Sequence, residues 1–85
     1  MLKQNKTMTL EIITPEKKLF NGEVISVKLP GSTGEFEVLN NHAPIISTLN
    51  KGEIRIINSQ KEIKKIPING GVIELQNNKI IVLAN

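Results

Sequence analysis

Residues 23–46 read Glu-Val-Ile-Ser-Val-Lys-Leu-Pro-Gly-Ser-Thr-Gly-Glu-Phe-Glu-Val-Leu-Asn-Asn-His-Ala-Pro-Ile-Ile, and they contain the pattern that decides the fold. Apolar and polar side chains alternate through residues 23–29, which is the period of a half-buried strand. The side chains predicted to face the core are Ile25, Val27 and Leu29. Proline and glycine interrupt the pattern at residues 30–34, and a second alternating run follows at residues 35–39. The stretch therefore predicts two strands joined by a loop.

The rest of the chain has the same organisation. Short alternating runs are interrupted by turn signals about every 8–12 residues. Asn40-Asn41 and Asn77-Asn78 predict tight turns, because asparagine tolerates left-handed backbone angles. Pro67 lies inside a predicted strand, so that strand is expected to be at a sheet edge or to carry a bulge there. Together these patterns predict an all-β protein, a flattened antiparallel β-sandwich of about nine to ten short strands.

The composition limits what the chain can do. Its 85 residues are enough for one small domain, and we expect a flexible N-terminus at residues 1–6 and a β-sandwich domain at residues 7–85. The chain has no cysteine, which excludes disulfides and thiolate metal sites. Its net charge of +3 is too small to identify a partner. No signal-peptide pattern and no apolar run near the roughly 20 residues of a membrane helix are found, which predicts a soluble intracellular protein.

His42 is the single histidine, and the sequence around it offers no catalytic constellation. A nucleophilic triad needs an activated nucleophile beside a base that an acid orients. This chain has no aspartate, no cysteine and no serine in a nucleophile elbow. A zinc site needs three or four suitable ligands, and one histidine does not supply them. The favoured interpretation is a histidine that hydrogen-bonds a loop or meets a partner, and a small hydrolase using His42 and Glu35 is disfavoured.

Two further features near His42 are candidates for a catalytic or binding site. Glu35 and Glu37 are two residues apart, so on a strand they point to the same side, as a paired acid and base would. A solvated strand face is the simpler interpretation. Residues 31–34, Gly-Ser-Thr-Gly, lack the ending and the following helix of a phosphate-binding loop, so they predict a structural turn. We therefore predict no catalytic residue, no metal site and no cofactor.

A basic cluster supports an alternative function. Lys61, Lys64 and Lys65 lie close together, and Lys51 and Arg55 are not far off in sequence. Small β-barrels that bind single-stranded nucleic acid combine such charge with stacking aromatic side chains. This chain has two phenylalanines and neither tyrosine nor tryptophan. A basic nucleic-acid-binding β-barrel module is therefore kept as the alternative, and a solvated edge that resists edge-to-edge association is favoured.

An ordered set of motifs resembles one known family. Residues 31–36, Gly-Ser-Thr-Gly-Glu-Phe, followed by His42-Ala43-Pro44, are similar to the GxxGE[LF]GxxPxHAPL pattern of the epsilon subunit of the F-type ATP synthase. The match runs in order from about Thr7 to Ala84, nearly the whole chain. Its other parts are Leu-Phe-Asn-Gly-Glu-Val at residues 19–24, Gly-Glu-Ile-Arg-Ile at 52–56, Gly-Gly-Val-Ile-Glu-Leu at 70–75 and Ile-Ile-Val-Leu-Ala at 80–84.

This resemblance implies a flattened ten-stranded β-sandwich and a non-catalytic rotor subunit. Such a subunit binds the gamma subunit, rests on the polar loops of the c-ring, and reaches the cytoplasmic face of the bacterial inner membrane only through its complex. It binds no nucleic acid. The residues that the resemblance assigns to c-ring docking are Gly31, Ser32, Thr33, Gly34, Glu35 and His42. Those that it assigns to the gamma contact are Thr14 and Ser47.

The sequence departs from the family pattern at three places. Glu37 stands where the family has glycine, which leaves open whether Glu35 or Glu37 makes the c-ring contact. Asn40-Asn41 replaces the family's Pro-Gly, and asparagine suits the same turn. Family members usually continue into a C-terminal helical hairpin, and this sequence ends at Asn85, where that hairpin would begin. We therefore expect a sandwich-only subunit with no nucleotide site and no inhibition by an extension.

Overall fold

Eight β-strands account for most of residues 7–85, the part of the chain that the computed structural model describes. They are β1 (Met8–Ile13), β2 (Lys18–Gly31), β3 (Gly34–Leu39), β4 (Ile45–Leu49), β5 (Gly52–Asn58), β6 (Ile63–Ile68), β7 (Gly71–Gln76) and β8 (Lys79–Ala84). No helix is present in these residues, so none could cross a membrane. The all-β prediction is confirmed. The flexible N-terminus predicted for residues 1–6 lies outside the described residues.

Strand β2 is longer than the sequence predicts, and this reduces the strand count. The sequence Leu-Phe-Asn-Gly at residues 19–22 by itself predicts a short strand and a turn or bulge, followed by a second strand from residue 23. The structure has one strand of 14 residues from Lys18 to Gly31. Asn21 and Gly22 do not turn the chain, because they pair with Glu11 and Leu10 in the β1 ladder. Two predicted strands are therefore one.

Strand β2 also joins the two layers of the sandwich. Its N-terminal half pairs with β1, and its C-terminal half pairs with β3 on the same edge and with β5 on the opposite edge. The first layer is β4-β7-β8-β1 with the N-terminal half of β2, and the second is β3, the rest of β2, β5 and β6. Most pairs are antiparallel. The pair β1 and β8 is parallel, and apart from this pair the predicted antiparallel arrangement is confirmed.

The alternation predicted for residues 23–29 is shifted by a bulge. Val24 pairs with Asn58 and Ser26 with Ile57, so Ile25 is an extra residue in β2. The bulge directs Val24 into the core with none of its surface exposed, whereas Ile25 is half-buried. The predicted inward position of Ile25 was therefore wrong, and those of Val27 and Leu29 are confirmed. A period-two pattern cannot reveal the bulge, since Val24 and Ile25 are equally apolar.

The core between the two layers is aliphatic. Every strand contributes at least one buried residue to a single cluster, and Phe36 and Phe20 pack against its margin. The apolar strand β8 is paired on both edges, by β1 and β7, which covers its backbone. Strand β6 is at the end of the second layer, and Pro67 is exposed there, so the predicted edge position is confirmed. A core packed in this way makes the sandwich stiff.

Gly71 and Gly34 offer a matched test of backbone packing. A Cβ on Gly71, whose φ is 154°, would overlap the Leu83 carbonyl oxygen and lie 3.0 Å from Ala84 Cα. A Cβ on Gly34, whose φ is 136°, would meet nothing within 4 Å. We expect Gly71→Ala to lower the free energy of unfolding by about 3 kcal/mol and Gly34→Ala by about 1 kcal/mol, because the second suffers backbone strain without overlap. Urea denaturation measures both, and equal losses would contradict the packing of β7 against β8.

Candidate functional site

The residues that the resemblance assigns to c-ring docking lie along one edge of the sandwich, strand β3. This strand pairs with β2, and no other strand among residues 7–85 covers its second edge. The turn at residues 31–34 is at one end of β3, and the turn that carries His42 follows the other end. Four residue steps, about 13 Å of strand, separate Glu35 from Leu39. We call residues 31–42 the β3 edge.

Glycines shape the first turn of the β3 edge. A Cβ on Gly31 would lie 2.6 Å from the Gly34 carbonyl oxygen and 2.7 Å from the Phe36 ring, so a side chain does not fit there. Ser32 fastens the turn to β4: its N–H donates to the Thr48 carbonyl (3.1 Å), and the two hydroxyl oxygens are 2.7 Å apart. Ser32 is thus engaged within the protein, whereas Thr33 and Glu35 are exposed.

Glu35 and Glu37 point to the same side of β3, as predicted, but each has a different partner. Glu35 is 61% exposed and its carboxylate is 3.3 Å from Lys28 Nζ. Glu37 is held more closely, because its Oε2 accepts hydrogen bonds from Ser26 Oγ (2.6 Å) and Arg55 Nη2 (2.8 Å). Surface ion pairs such as Lys28–Glu35 contribute little stability and exchange readily. Glu35 is therefore the carboxylate that is free to meet a partner.

Ser26, Glu37 and Arg55 form a polar network across three strands. Ser26 is 4% exposed and receives a hydrogen bond from Arg55 Nη2 (3.1 Å) while it donates to Glu37. The Ser26 hydrogen bond, followed by that of Arg55, holds the pKa of Glu37 below the usual glutamate range. Sequence reasoning missed this network, since it depends on the register that aligns Glu37, Lys28 and Arg55 across β3, β2 and β5.

His42 lies in a different depression from Glu35. Its N–H donates to the Leu39 carbonyl (3.2 Å), and its Nδ1 is 2.7 Å from the Ala43 carbonyl oxygen. That carbonyl accepts, so Nδ1 carries the proton and Nε2 is the nitrogen turned to other partners. The depression, about 460 Å³, is lined by residues 41–44 and by Asn77 and Asn78. The structure therefore separates Glu35 and His42, so they do not form a paired acid and base.

The two residues assigned to the gamma contact are also apart from each other. Thr14 follows β1, and its hydroxyl accepts from the Lys17 N–H (3.1 Å) and donates to the Lys17 carbonyl (3.0 Å). Ser47 is in β4, opposite Ile73 of β7, and lines a shallow depression with residues 33–36. Ser47 is therefore a neighbour of the β3 edge, and Thr14 belongs to the end of the first layer.

Between Thr14 and Ser47 the first layer exposes a row of apolar side chains. Cross-strand pairs run from Thr48 to Val72, from Val72 to Leu83 and from Leu83 to Ile13. Val72 is 41% exposed and Leu83 is 56% exposed. We call Val72, Leu83 and Ile13 the outer apolar row. Thr14 follows Ile13 in the chain, at one end of this line of paired residues. Ser47 precedes Thr48 at the other end, but its side chain points to the opposite face of β4 and so away from the outer apolar row.

Comparison with known proteins identifies the family. The family model described as "ATP synthase, Delta/Epsilon chain, beta-sandwich domain" matches residues 7–85. The chain belongs to the epsilon chain family of the ATP synthases. The ATP synthase epsilon chain of Pelotomaculum thermopropionicum is 46% identical over 81 residues, which are 95% of this chain and 60% of that protein. That of Chlorobaculum tepidum is 41% identical over 83 residues, which are 98% of this chain and 94% of that protein.

Solved structures show the same fold as this epsilon chain family member. A chain in the cryo-EM structure of Euglena gracilis mitochondrial ATP synthase (OSCP/F1/c-ring in rotational state 1) superposes with a TM-score of 0.88 at 14% identity, over 96% of this chain and 52% of that chain. A chain in the structure of the Tetrahymena thermophila mitochondrial ATP synthase central stalk and c-ring gives 0.76 at 16% identity, over 98% and 66%. The sandwich is therefore an ATP synthase epsilon-type fold.

Lys64 and Lys65 of the basic cluster that supported the nucleic-acid alternative are successive residues of β6, so they point to opposite faces. Lys64 Nζ is 5.6 Å from the centroid of the Phe20 ring, so this aromatic face is covered by a cation of the same chain. Lys65 lies opposite Arg55 in the β5–β6 ladder, so two positive charges are neighbours there, and Lys61 is in the turn before β6. Single-strand binding also needs an open aromatic ring for stacking, and the Phe20 face beside Lys64 is occupied by that lysine.

The Glu37 network predicts how stability depends on pH. The pKa of Glu37 is lowered in the folded chain, so its ionised form contributes stability above the unfolded-state pKa, and that contribution is lost as the pH falls through the folded-state pKa. Glu37→Gln removes it. We therefore expect the difference in unfolding free energy between wild type and Glu37→Gln to be full near neutral pH and to shrink in acid, as measured by urea denaturation. Glu35→Gln, the exposed control, should have a smaller effect at neutral pH. A difference that does not vary with pH would contradict the network.

Proposed function

We propose that this chain is a non-catalytic rotor subunit of a proton-translocating F-type ATP synthase, linking the gamma subunit to the c-ring. The observation that carries the proposal is that its two candidate contact surfaces meet within one rigid unit. Ser32 of the β3 edge is hydrogen-bonded to Thr48, and Thr48 pairs with Val72 at the start of the outer apolar row. A load applied to one surface would reach the other through hydrogen bonds and paired strands.

The β3 edge has the chemistry of a polar docking site. Glu35 is exposed and held by a weak surface ion pair, so exchanging Lys28 for a partner on a polar ring loop would cost little. Gly34 is exposed and the space where its side chain would lie is empty, which lets a partner approach the backbone closely there. Charged contacts of this kind favour register and specificity over affinity. Glu35 is therefore proposed as the ring contact, and Glu37 as part of the protein's own network.

The outer apolar row has the chemistry of a more permanent interface. Exposed Val72 and Leu83 lie side by side on β7 and β8, between the flanking strands β4 and β1. Apolar surface at the centre of a contact provides most of its affinity, and polar groups around it provide the rim. This arrangement supports an interface with the gamma subunit that stays formed while the ring turns. Membrane association, at the cytoplasmic face of a bacterial inner membrane, would then follow from the complex.

The sandwich itself would transmit torque. Strand β2 is paired with β3 at one end and with β1 at the other, so it connects the β3 edge directly to the layer that holds the outer apolar row. A close-packed aliphatic core resists deformation. The proposed contribution to ATP synthesis is thus positional, with no step of chemistry and no cofactor on this chain.

Reversing the charge of Glu35 tests the ring contact. We expect Glu35→Lys to reduce ATP synthesis driven by a proton gradient by roughly tenfold in reconstituted vesicles, because the contact loses its attraction and gains a like charge beside Lys28. The isolated subunit should stay folded, since Glu35 is exposed. Glu62→Lys, the same change in the β5–β6 turn two strands from β3, is the control and should couple normally. Normal coupling by Glu35→Lys would remove Glu35 from the contact.

Charging the outer apolar row tests the gamma interface. We expect Leu83→Lys to weaken binding to the gamma subunit by at least about tenfold, because a charge would be buried at the centre of an apolar contact. Ile63→Lys is the matched control: Ile63 is 64% exposed on edge strand β6, which is outside the layer that holds the outer apolar row. Titration of the purified gamma subunit against each variant measures the affinities. Equal affinities for the two variants would place the gamma interface elsewhere.

A further inference from the structure

Asn78 is held in a backbone conformation that glycine adopts more easily. It is the second residue of the two-residue turn between β7 and β8, with a φ of 61°, and Asn77 before it has a φ of 52°. Positive φ at both positions defines a type I′ turn, in which glycine is favoured at the second position. Asparagine tolerates this region best when its short side chain makes hydrogen bonds. The hydrogen bonds of the Asn78 amide therefore help to explain why asparagine occupies a position that favours glycine.

The Asn78 amide joins its own turn to the turn that precedes His42. Its Oδ1 accepts from the Asn41 N–H (2.8 Å), and its Nδ2 donates to Asn40 Oδ1 (2.9 Å), with a longer contact to Asn41 Oδ1 (3.4 Å). The orientation of the amide follows from the chemistry, since a backbone N–H can only donate and must face an oxygen. The Asn78 carbonyl also accepts from the Thr9 N–H (2.9 Å), which anchors the turn to β1.

The His42 turn has few other attachments. Residues 40–44 belong to no strand, so no ladder holds them. The hydrogen bonds of His42, to the Leu39 and Ala43 carbonyl oxygens, are local to the turn and its flanks. Asn41 also has a positive φ, 65°, which keeps the turn in a strained conformation. In the described chain, the hydrogen bonds that tie this turn to a distant segment come from Asn78, 37 residues from Asn41.

We propose that Asn78 is a positioning residue that holds the His42 turn against the β7–β8 turn and so fixes the direction of the imidazole. The inference rests on the proposed function, in which His42 belongs to the surface that meets the c-ring. A turn that is ordered before binding does not lose conformational entropy when it binds. Its affinity for the partner is therefore higher, although no further interaction with the partner is made. Asn78 acts on the imidazole indirectly. It bonds the Asn41 backbone N–H and the Asn40 side-chain amide, whereas the imidazole bonds the Ala43 carbonyl oxygen.

We call the hydrogen bonds from the Asn78 amide to Asn40 and Asn41 the Asn78 clamp. Two glycine substitutions in the β7–β8 turn of the full chain test it. Asn78→Gly keeps the positive φ and the carbonyl that binds Thr9, and removes the amide. We expect amide hydrogen exchange at Asn41 to accelerate roughly tenfold, as the loss of one hydrogen bond predicts, and the His42 ring resonances to shift in NMR spectra. Asn77→Gly, at the neighbouring position with the same sign of φ, should change neither. Unchanged Asn41 exchange in Asn78→Gly, or equal acceleration in both variants, would overturn the inference.

A conservative variant tests the hydrogen bonds of the Asn78 amide, and a coupling assay tests the c-ring contact separately. Asn40→Asp keeps an oxygen acceptor for Asn78 Nδ2, so we expect Asn41 exchange to remain close to wild type, whereas Asn40→Leu should accelerate it. In vesicles containing the whole ATP synthase, Asn78→Gly should lower coupled ATP synthesis while Asn77→Gly does not. Faster Asn41 exchange with normal coupling would retain the clamp and contradict the assignment of His42 to the ring-facing surface.

Discussion

The hydrogen bonding of β2 along both of its edges is the constraint on which the rest of the structure depends. At Val24 the strand is paired with Met8 of β1 on one edge and Asn58 of β5 on the other, so this residue marks the crossing from one layer to the next. The bulge at Ile25 comes directly after it and lets Val24 and Val27 both reach the core. Without a continuous β2, loops would carry the connection between layers. With it, β3 and the first layer are parts of one hydrogen-bonded body.

The β3 edge combines fixed shape with free charge. Ser32 is hydrogen-bonded to Thr48, and Glu37 is hydrogen-bonded to Ser26 and Arg55. These two polar side chains of the β3 edge therefore already have partners within the protein. Glu35 and the outward nitrogen of His42 remain for a partner, at opposite ends of the strand. This division favours Glu35 over Glu37 as the proposed c-ring contact. The additional carboxylate at position 37 stiffens the edge, and its negative charge is offset by an arginine of the same face.

Much of this could be predicted from sequence, and what could not has a common cause. Period-two alternation, Asn-Asn pairs and the proline at position 67 are local signals. They correctly indicated most of the strands, the turns at Asn41 and Asn78 and the edge position of β6. The parallel pairing of β1 with β8, the bulge at Ile25 and the continuity of β2 depend on how strands align in three dimensions. The same holds for the contacts between Glu37 and Arg55, which are 18 residues apart, and between Asn41 and Asn78, which are 37 apart. Register decides these contacts, and register is set by the whole core.

The central claim is that the β3 edge faces the c-ring and the outer apolar row faces the gamma subunit. Photo-cross-linking from single cysteines tests it most directly, because the chain has no cysteine of its own. Glu35→Cys and Leu83→Cys would each carry a thiol-attached photoprobe in the assembled ATP synthase, with the products identified by mass spectrometry. We expect a c subunit product from position 35 and a gamma subunit product from position 83. A gamma product from position 35, or a c subunit product from position 83, would contradict it.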